Sequence, residues 1–511
     1  MRTRRAFLKQ AGVGGAAWLG AHALARAAGA AAAVRPNILI VLADDWSYPH
    51  AGAYGCQWVR TPAFDRMANE GLLFTNAYTP DAKCAPSRAC ILTGRNPWQL
   101  GAAANHWCYF PAKFRTVMEA LAAHGYAVGH AGKGWAPGVS GELNGQPRLL
   151  TGPRLPFPKF MEQREPGKPF CFWYGSTRPH RPYVAGSGAK AGKRTAQIER
   201  VPACWPDNPI VRNDMLDYAL AAEQFDAELD ALLKTLDASG EAERTLVIVT
   251  SDNGMPFPRG KGNCYDLSVH MPLAIRWPAG IRTPGRRPQV FTSFVDLVPT
   301  LLDVADVSPE ASGMSALAGS SLCDVFGDVP PMQAPRPRDH VLIGRERNDV
   351  GRPHDEGYPI RGIVKDHYLY LLNFEPERWP AVNPESGYLD TDGSPTKTWC
   401  VQARRLPPYR RYWELCFGKR PREELYHLAA DPDCVRNLAQ DPAHAAVRER
   451  LKTQLLDELK QQGDPRLHGR GQIFDAFPNA SPQRGFYERV QSGEKVEAGW
   501  VLPADFDRAG E

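Results

Sequence analysis

An α/β fold is predicted by two observations. Three apolar runs each end in polar residues, and segments with helical periodicity lie between them. Residues 36–46, PNILIVLADDW, are apolar up to Asp44-Asp45. An uninterrupted apolar run of this length is the pattern of a central strand covered on both faces. Helical spacing follows at 115–124. Pro169-Phe170-Cys171-Phe172-Trp173-Tyr174 is a second strand and ends near Arg178-Pro179-His180. A long helix fits 214–236, and residues 245–254, TLVIVTSDNG, repeat the first design with Asp252-Asn253-Gly254 at its end. Another helical segment covers 294–303. In open α/β sheets, ligands bind at the carboxyl ends of strands, which is where all three runs deliver their polar groups.

Gly, Ser and Pro dominate residues 305–340, which reads as a crossing between subdomains. Short strand-like segments occupy 341–374 and one closing helix covers 442–462. The expected division is a catalytic domain over 34–335, a C-terminal α+β subdomain over 340–465 and a polar surface tail over 466–511, wrapped on the surface or partly loose.

The chain opens MRTRRAFLKQAGVGGAAWLGAHALARAAGAAAA. Thr3-Arg4-Arg5-Ala6-Phe7-Leu8-Lys9 is a twin-arginine export signature, and the small residues that follow offer cleavage sites, so residues 1–30 read as a signal peptide. The segment is too glycine-rich and short for a stable membrane span. Export by the twin-arginine translocase implies a periplasmic or secreted protein, folded before it crosses. Arg2, Arg4, Arg5, Lys9 and Arg26 account for the whole net charge of +5. The remainder is near neutral, which argues against a nucleic-acid surface. Eleven cysteines at irregular spacing, with no CxxC pair, make neither a zinc ribbon nor a disulfide scaffold.

Asp44, Asp45, Asp252 and Asn253 offer oxygen ligands from two strand ends. Either pair alone would serve as a helix cap or a turn. Together they suit a hard cation, Ca²⁺ or Mg²⁺. Lys133 (GHAGKGWAPG) and Lys261 (MPFPRGKGNCYD) are glycine-flanked and suited to clamp an anion beside that cation, or are solvated loop charges. His180, between Arg-Pro and Arg-Pro, is either a proton donor to a leaving group or a structural loop histidine.

Cys84-Ala85-Pro86-Ser87-Arg88, with Leu92-Thr93-Gly94 after it, resembles the maturation signature of the type I, formylglycine-dependent sulfatases. The flanking PNILIVLADD, TPAFDRMANEGLLFTNAY and TLVIVTSDNG match the same family, as does Glu424-Leu425-Tyr426-His427-Leu428 with Asp431-Pro432 and Asn437-Leu438-Ala439. The likeness spans roughly 34–465. It implies an alkaline-phosphatase-like large mixed sheet. It also implies oxidation of Cys84 to formylglycine (3-oxoalanine) by a formylglycine-generating enzyme, with the metal held by Asp44, Asp45, Asp252, Asn253 and residue 84. Arg88 would orient the hydrate, Lys133 and Lys261 would hold the sulfonyl oxygens, and His180 would protonate the leaving group. Ser251 to Pro258, Tyr358 to Arg361 and Pro408 to Trp413 are similar to the heparan N-sulfatase (N-sulfoglucosamine sulfohydrolase) branch. That implies a sulfated saccharide as substrate; His354, Asp355, Glu356 and Arg361 are read as loop residues that either reach the sugar or are ordinary surface.

Two positions depart from the family pattern. Trp135 stands where many members carry the histidine of Lys-x-His, its place taken either by His130 in space or by another group, and Arg178 replaces the first histidine of His-x-Pro-His. The competing classes are a glycan O-sulfatase, a phosphoester or phosphonate hydrolase on the same fold, and a non-catalytic sugar-binding relative.

Overall fold

The computed structural model describes residues 35–143, 145–327 and 331–506. The signal peptide inferred for 1–30 lies outside the described residues. The main sheet holds six strands: β1 (Asn37–Ala43), β2 (Leu72–Phe74), β3 (Ala127–Gly132), β4 (Phe170–Gly175), β5 (Thr245–Ser251) and β6 (Leu273–Arg276). Their order is β2-β6-β5-β1-β4-β3. β1 runs parallel to β5 and β4, β3 runs parallel to β4, and β6 is antiparallel to both its neighbours.

The alternation of side chains along β1 explains why that strand is apolar at every position. Ile38, Ile40 and Leu42 enter one core, and Leu39, Val41 and Ala43 enter the other. The helices α1 (Pro62–Glu70), α2 (Cys84–Thr93), α3 (Val117–Ala123), α4 (Pro209–Ala238) and α5 (Leu297–Val304) cover the two faces. α2, α3 and α5 close the first core, and α1 and α4 close the second. α4 begins where the sequence stops competing with it. Asn208 caps the helix by accepting from Val211 N, and Pro209 takes the first turn, where no donor is needed.

A second sheet is an antiparallel meander of β7 (His340–Arg345), β8 (Ile360–Lys365), β9 (Tyr368–Asn373) and β10 (Glu423–His427). The helices α6 (Pro395–Gln402) and α7 (Ala445–Gln461) belong to this half of the chain, and α7 buries Leu451, Leu455 and Leu459 against the meander. The residues after 465 are anchored: Phe474 and Phe486 are buried, and Ala498 and Val501 pack with Val350, Val382 and Leu389. No helix among the described residues is long and apolar enough to cross a membrane.

Candidate active site

The register of β1 on β5 pairs Ala43 with Ser251, so the next residues leave the sheet side by side. These are Asp44-Asp45 and Asp252-Asn253, all buried. Asp45 sits in the left-handed region, at φ 78°, a conformation that aspartate tolerates better than most residues. β3 ends beside them and is followed by Lys133. β4 ends beside them too and leads to His180. The carboxyl edge of four parallel strands therefore forms the floor of one site.

α2 supplies the rest. Cys84 is its first residue, and Pro86 stands in the first turn, where a missing N–H costs nothing. Ser87 donates to the carbonyl of Asp252 at 2.5 Å, which ties the helix to the end of β5. Arg88 is fully buried. It donates through Nε to Asp252 Oδ2 at 2.8 Å and through Nη1 to the carbonyls of Lys133 (2.8 Å) and Gly134 (3.0 Å), and its Nη2 lies 3.7 Å from Asp44 Oδ1. One guanidinium thus fixes three strand ends relative to Cys84.

The two lysines each hold one aspartate of this floor. Lys133 Nζ donates to Asp44 Oδ2 at 2.7 Å. Lys261 Nζ donates to Asp45 Oδ2 at 2.8 Å and lies 3.2 Å from Asp392 Oδ2. His180 Nε2 is 3.8 Å from Asp45 Oδ2, and its Nδ1 contacts the carbonyl of Arg181 at 2.5 Å. The loop that carries His180 is held by Arg181, whose fork donates twice to Asp214 of α4 at 2.8 Å and whose Nε donates to Pro256 O. Arg181 also lies over the ring of Phe257 at 4.6 Å. The Met-Pro-Phe-Pro segment therefore buttresses the histidine loop.

Ligand atoms of Asp44, Cys84 and Asp252 lie within 4.8 Å of one another, and so do those of Asp45, Cys84 and His180. Asp44 Oδ1 and Asn253 Oδ1 are buried with no hydrogen-bond partner, while Asn253 Nδ2 donates to Asp45 Oδ1 at 2.7 Å. Buried oxygens normally find partners. Two that do not, in an all-oxygen set between two strand ends, fit a hard divalent cation. Burial pushes the Cys84 thiol up to about 12, against the attraction of Lys133 and Lys261. As a thiol it stays protonated near neutrality and is a weak nucleophile.

A cavity of 260 Å³ opens above Cys84, with Lys133, His180 and Lys261 in its wall. Lys83, Ala136 and Pro137, neighbours of Cys84 and Lys133 in the chain, also line it, and five further wall residues were not foreseen from the sequence: His106, Trp107, Asp349, Asp392 and Trp500. They come from segments far apart in the chain and carry no local motif. Other expectations need correction. Arg361 lies inside β8, fully buried, donating to Asp464 at 2.7 Å and to Glu346 at 2.6 Å. It holds the second sheet to the segment after α7 and does not reach the cavity. The His354 side chain is 84% exposed beside Glu488, Glu356 pairs with Arg378 at 3.2 Å, and Asp355 accepts from Gly485 N. None of the three lines the cavity. His130 holds Gly152 O through Nδ1 and does not line it either, so it is no substitute for the absent family histidine. Trp135 is buried and donates to Ala85 O at 3.0 Å, where it supports α2.

Comparison with known proteins identifies the frame first. A solved structure in complex with its substrate, D-glucosamine-2-N,6-O-disulfate, superposes with a TM-score of 0.58 at 20% identity, covering 84% of this chain and 98% of that one. The phosphonate monoester hydrolase of Agrobacterium radiobacter gives 0.59 at 20% identity, covering 85% and 97%. The fold is alkaline-phosphatase-like. The family model described as Sulfatase matches residues 36–140 and 155–307, and the chain belongs to the sulfatase family. Relatives include an ulvan-active sulfatase of Formosa agariphila, 28% identical over 84% of this chain and 81% of the relative. The N-sulphoglucosamine sulphohydrolase of Homo sapiens is also 28% identical, over 84% and 91%.

Proposed function

We propose that this sulfatase hydrolyses sulfo groups of a glycan and that its substrate is N-sulfoglucosamine at the end of a heparan-type saccharide. The observation that carries the reading is Cys84 at the start of α2, set between two carboxylate pairs with a lysine on each side. The human relative supports the choice of a sulfamate, and the Ser251–Pro258 segment that buttresses His180 agrees with it. Sugar O-sulfates are the alternative. A phosphoester or phosphonate is supported only by the fold.

Converted to formylglycine and hydrated, residue 84 supplies the nucleophilic hydroxyl, and a Ca²⁺ or Mg²⁺ held by Asp44, Asp45, Asp252 and Asn253 supplies Lewis acidity. This chain's own residues do the rest. Lys133 and Lys261, compact ammonium charges fixed on Asp44 and Asp45, bind and polarise the non-bridging oxygens of the sulfo group. Arg88 holds residue 84 and the strand ends in register. His180, with Nδ1 engaged on a backbone carbonyl, presents Nε2 to hold a proton for the departing amine. Export by the twin-arginine route to the periplasm or beyond, after maturation in the cytoplasm, completes the reading.

The test is mass spectrometry of the tryptic peptide Cys84–Arg88 from protein made in its own host, followed by sulfate release from N-sulfoglucosamine. An aldehyde at residue 84 and release are expected. An unmodified thiol at full occupancy would overturn the mechanism, and release only from O-sulfated sugars would overturn the choice of sulfamate.

A further inference from the structure

Part of the cavity wall has its own construction. Asp349 pairs with Lys83 Nζ at 2.6 Å and accepts from His106 Nδ1 at 3.1 Å, a ring that burial keeps neutral by lowering its pKa to about 4. His106 is buried, and its second nitrogen, Nε2, is also buried with no hydrogen-bond partner. A buried ring nitrogen left bare beside a cavity is a place for a donor from a ligand. Next to it, Trp107 is held at φ 52°, a left-handed conformation that a bulky residue adopts only when its surroundings enforce it.

Trp500 faces the same cavity from the segment after α7, well outside the residues that match the family model. The residue is held through both ring and backbone. Nε1 donates to Leu389 O at 2.9 Å, and its own carbonyl accepts from Gly393 N at 2.6 Å. The neighbouring Val501 is buried with Val350, Val382 and Leu389. The loop it grips carries Asp392, the second partner of Lys261. The cavity therefore combines two indoles, one bare imidazole nitrogen and the lysines of the sulfo-binding floor. Its volume, 260 Å³, falls below the range of about 300–1,000 Å³ common for drug-sized ligands.

We propose that the C-terminal segment is part of the substrate site: Trp500, with Trp107 and the Asp349-held His106, forms a subsite for a single sugar ring, whose apolar face lies on indole and whose hydroxyl meets His106 Nε2. This deepens the glycan reading above and rests on it. Indoles suit such a ring because they give a rigid apolar face at small entropic cost. The subsite acts on ring affinity and leaves the sulfo group to the lysines.

The experiment compares the full-length protein with Trp500→Ala and Trp500→Phe. Each is titrated calorimetrically with glucosamine, glucosamine 2-N-sulfate and inorganic sulfate, and sulfate release is followed in parallel. Trp500→Ala is expected to weaken both sugars by about tenfold, the upper end of what a stacked aromatic contact supplies, and to leave inorganic sulfate unchanged. Trp500→Phe is expected to recover most of the loss. Sugar affinities unchanged in Trp500→Ala, a parallel loss of inorganic sulfate, or no sugar bound by the unaltered protein would each overturn the subsite. Sugar binding that weakens as stated, without sulfate release by the unaltered protein, would support the subsite and overturn the reaction proposed for it.

Discussion

Asp44 and Asp252 are adjacent carboxylates with opposite titration. Burial raises both. At Asp44 the cations Lys133, His180, Arg88 and Lys261 outweigh it and hold the group well below its ordinary range. At Asp252 burial and the charge of Asp44 prevail over Arg88 and Lys133, and the pKa rises to about 6. Two close carboxylates ionise together only with a cation to share, so the raised value describes the protein before a cation arrives. The sign follows. Because the folded value exceeds the ordinary 3.8, the fold's preference for the protonated form is complete below that value and is lost as pH rises through about 6. Cation binding needs the carboxylate, so apparent Ca²⁺ affinity is expected to climb about tenfold per unit up to pH 6 and to flatten above it. Calcium titrations at pH 5, 6 and 7 measure this directly, and a flat profile would remove Asp252 from the ligand set.

Two glycines at neighbouring strand ends let β3, β4 and α2 meet. A Cβ on Gly175 would stand 1.8 Å from the carbonyl oxygen of Lys133 and 2.9 Å from Arg88 Nη1. Gly132 has φ +69° and faces Gly175 O at 2.0 Å from the same construction. Backbone cannot retreat there without moving Lys133 and Arg88. Gly175→Ala is expected to cost about 1–3 kcal/mol in urea denaturation, as overpacking does, and to lower sulfate release more than that loss explains. Unchanged turnover would show that Lys133 and Arg88 need no such close placement. Legibility follows the same division. β1, β4 and β5 stand out in the sequence because a strand buried on both faces is apolar at every position. β3, Ala127–Gly132, does not, since close approach requires glycines where a strand signal would want branched residues. The two aspartate pairs, Cys84 and both lysines are legible because each sits in a short motif at a strand or helix end. His106, Asp349, Asp392 and Trp500 are not, because only tertiary folding brings them together. Arg361 misleads for the opposite reason. Its stretch, similar to the heparan N-sulfatase branch and read as a loop, invites a ligand role, yet in β8 it neutralises two buried carboxylates.

The C-terminal segment reaches the cavity above Cys84 through Trp500. Lys397 of α6 is fully buried. Its ammonium donates to the carbonyls of Gly387, Tyr388 and Thr391 and lies 3.3 Å from Asp505, which also accepts from Thr398 at 2.7 Å. Burial lowers the Lys397 pKa to about 8 in spite of Asp505. An ammonium this deep is tolerated because a carboxylate meets it, and removing one partner of a buried pair costs about 3–5 kcal/mol. Asp505→Asn removes the charge and keeps the shape. The folded value of Lys397 then drops further below its ordinary 10.5, so between the two values the unfolded chain binds more protons and stability rises with pH. The variant's deficit is therefore expected to be largest well below pH 8, where Lys397 is charged in both folded proteins, and to shrink as pH rises to about 8. Urea melts at pH 7 and pH 9.5 read the difference, and a deficit independent of pH would mean that Asp505 stabilises the segment through its Thr398 hydrogen bond alone. The same variant is expected to loosen the chain that positions Trp500 while leaving Lys133, Lys261 and the strand ends around Cys84 in place. Its KM for a sulfated sugar should rise before its turnover falls, which ties the stability of the tail to the affinity of the site.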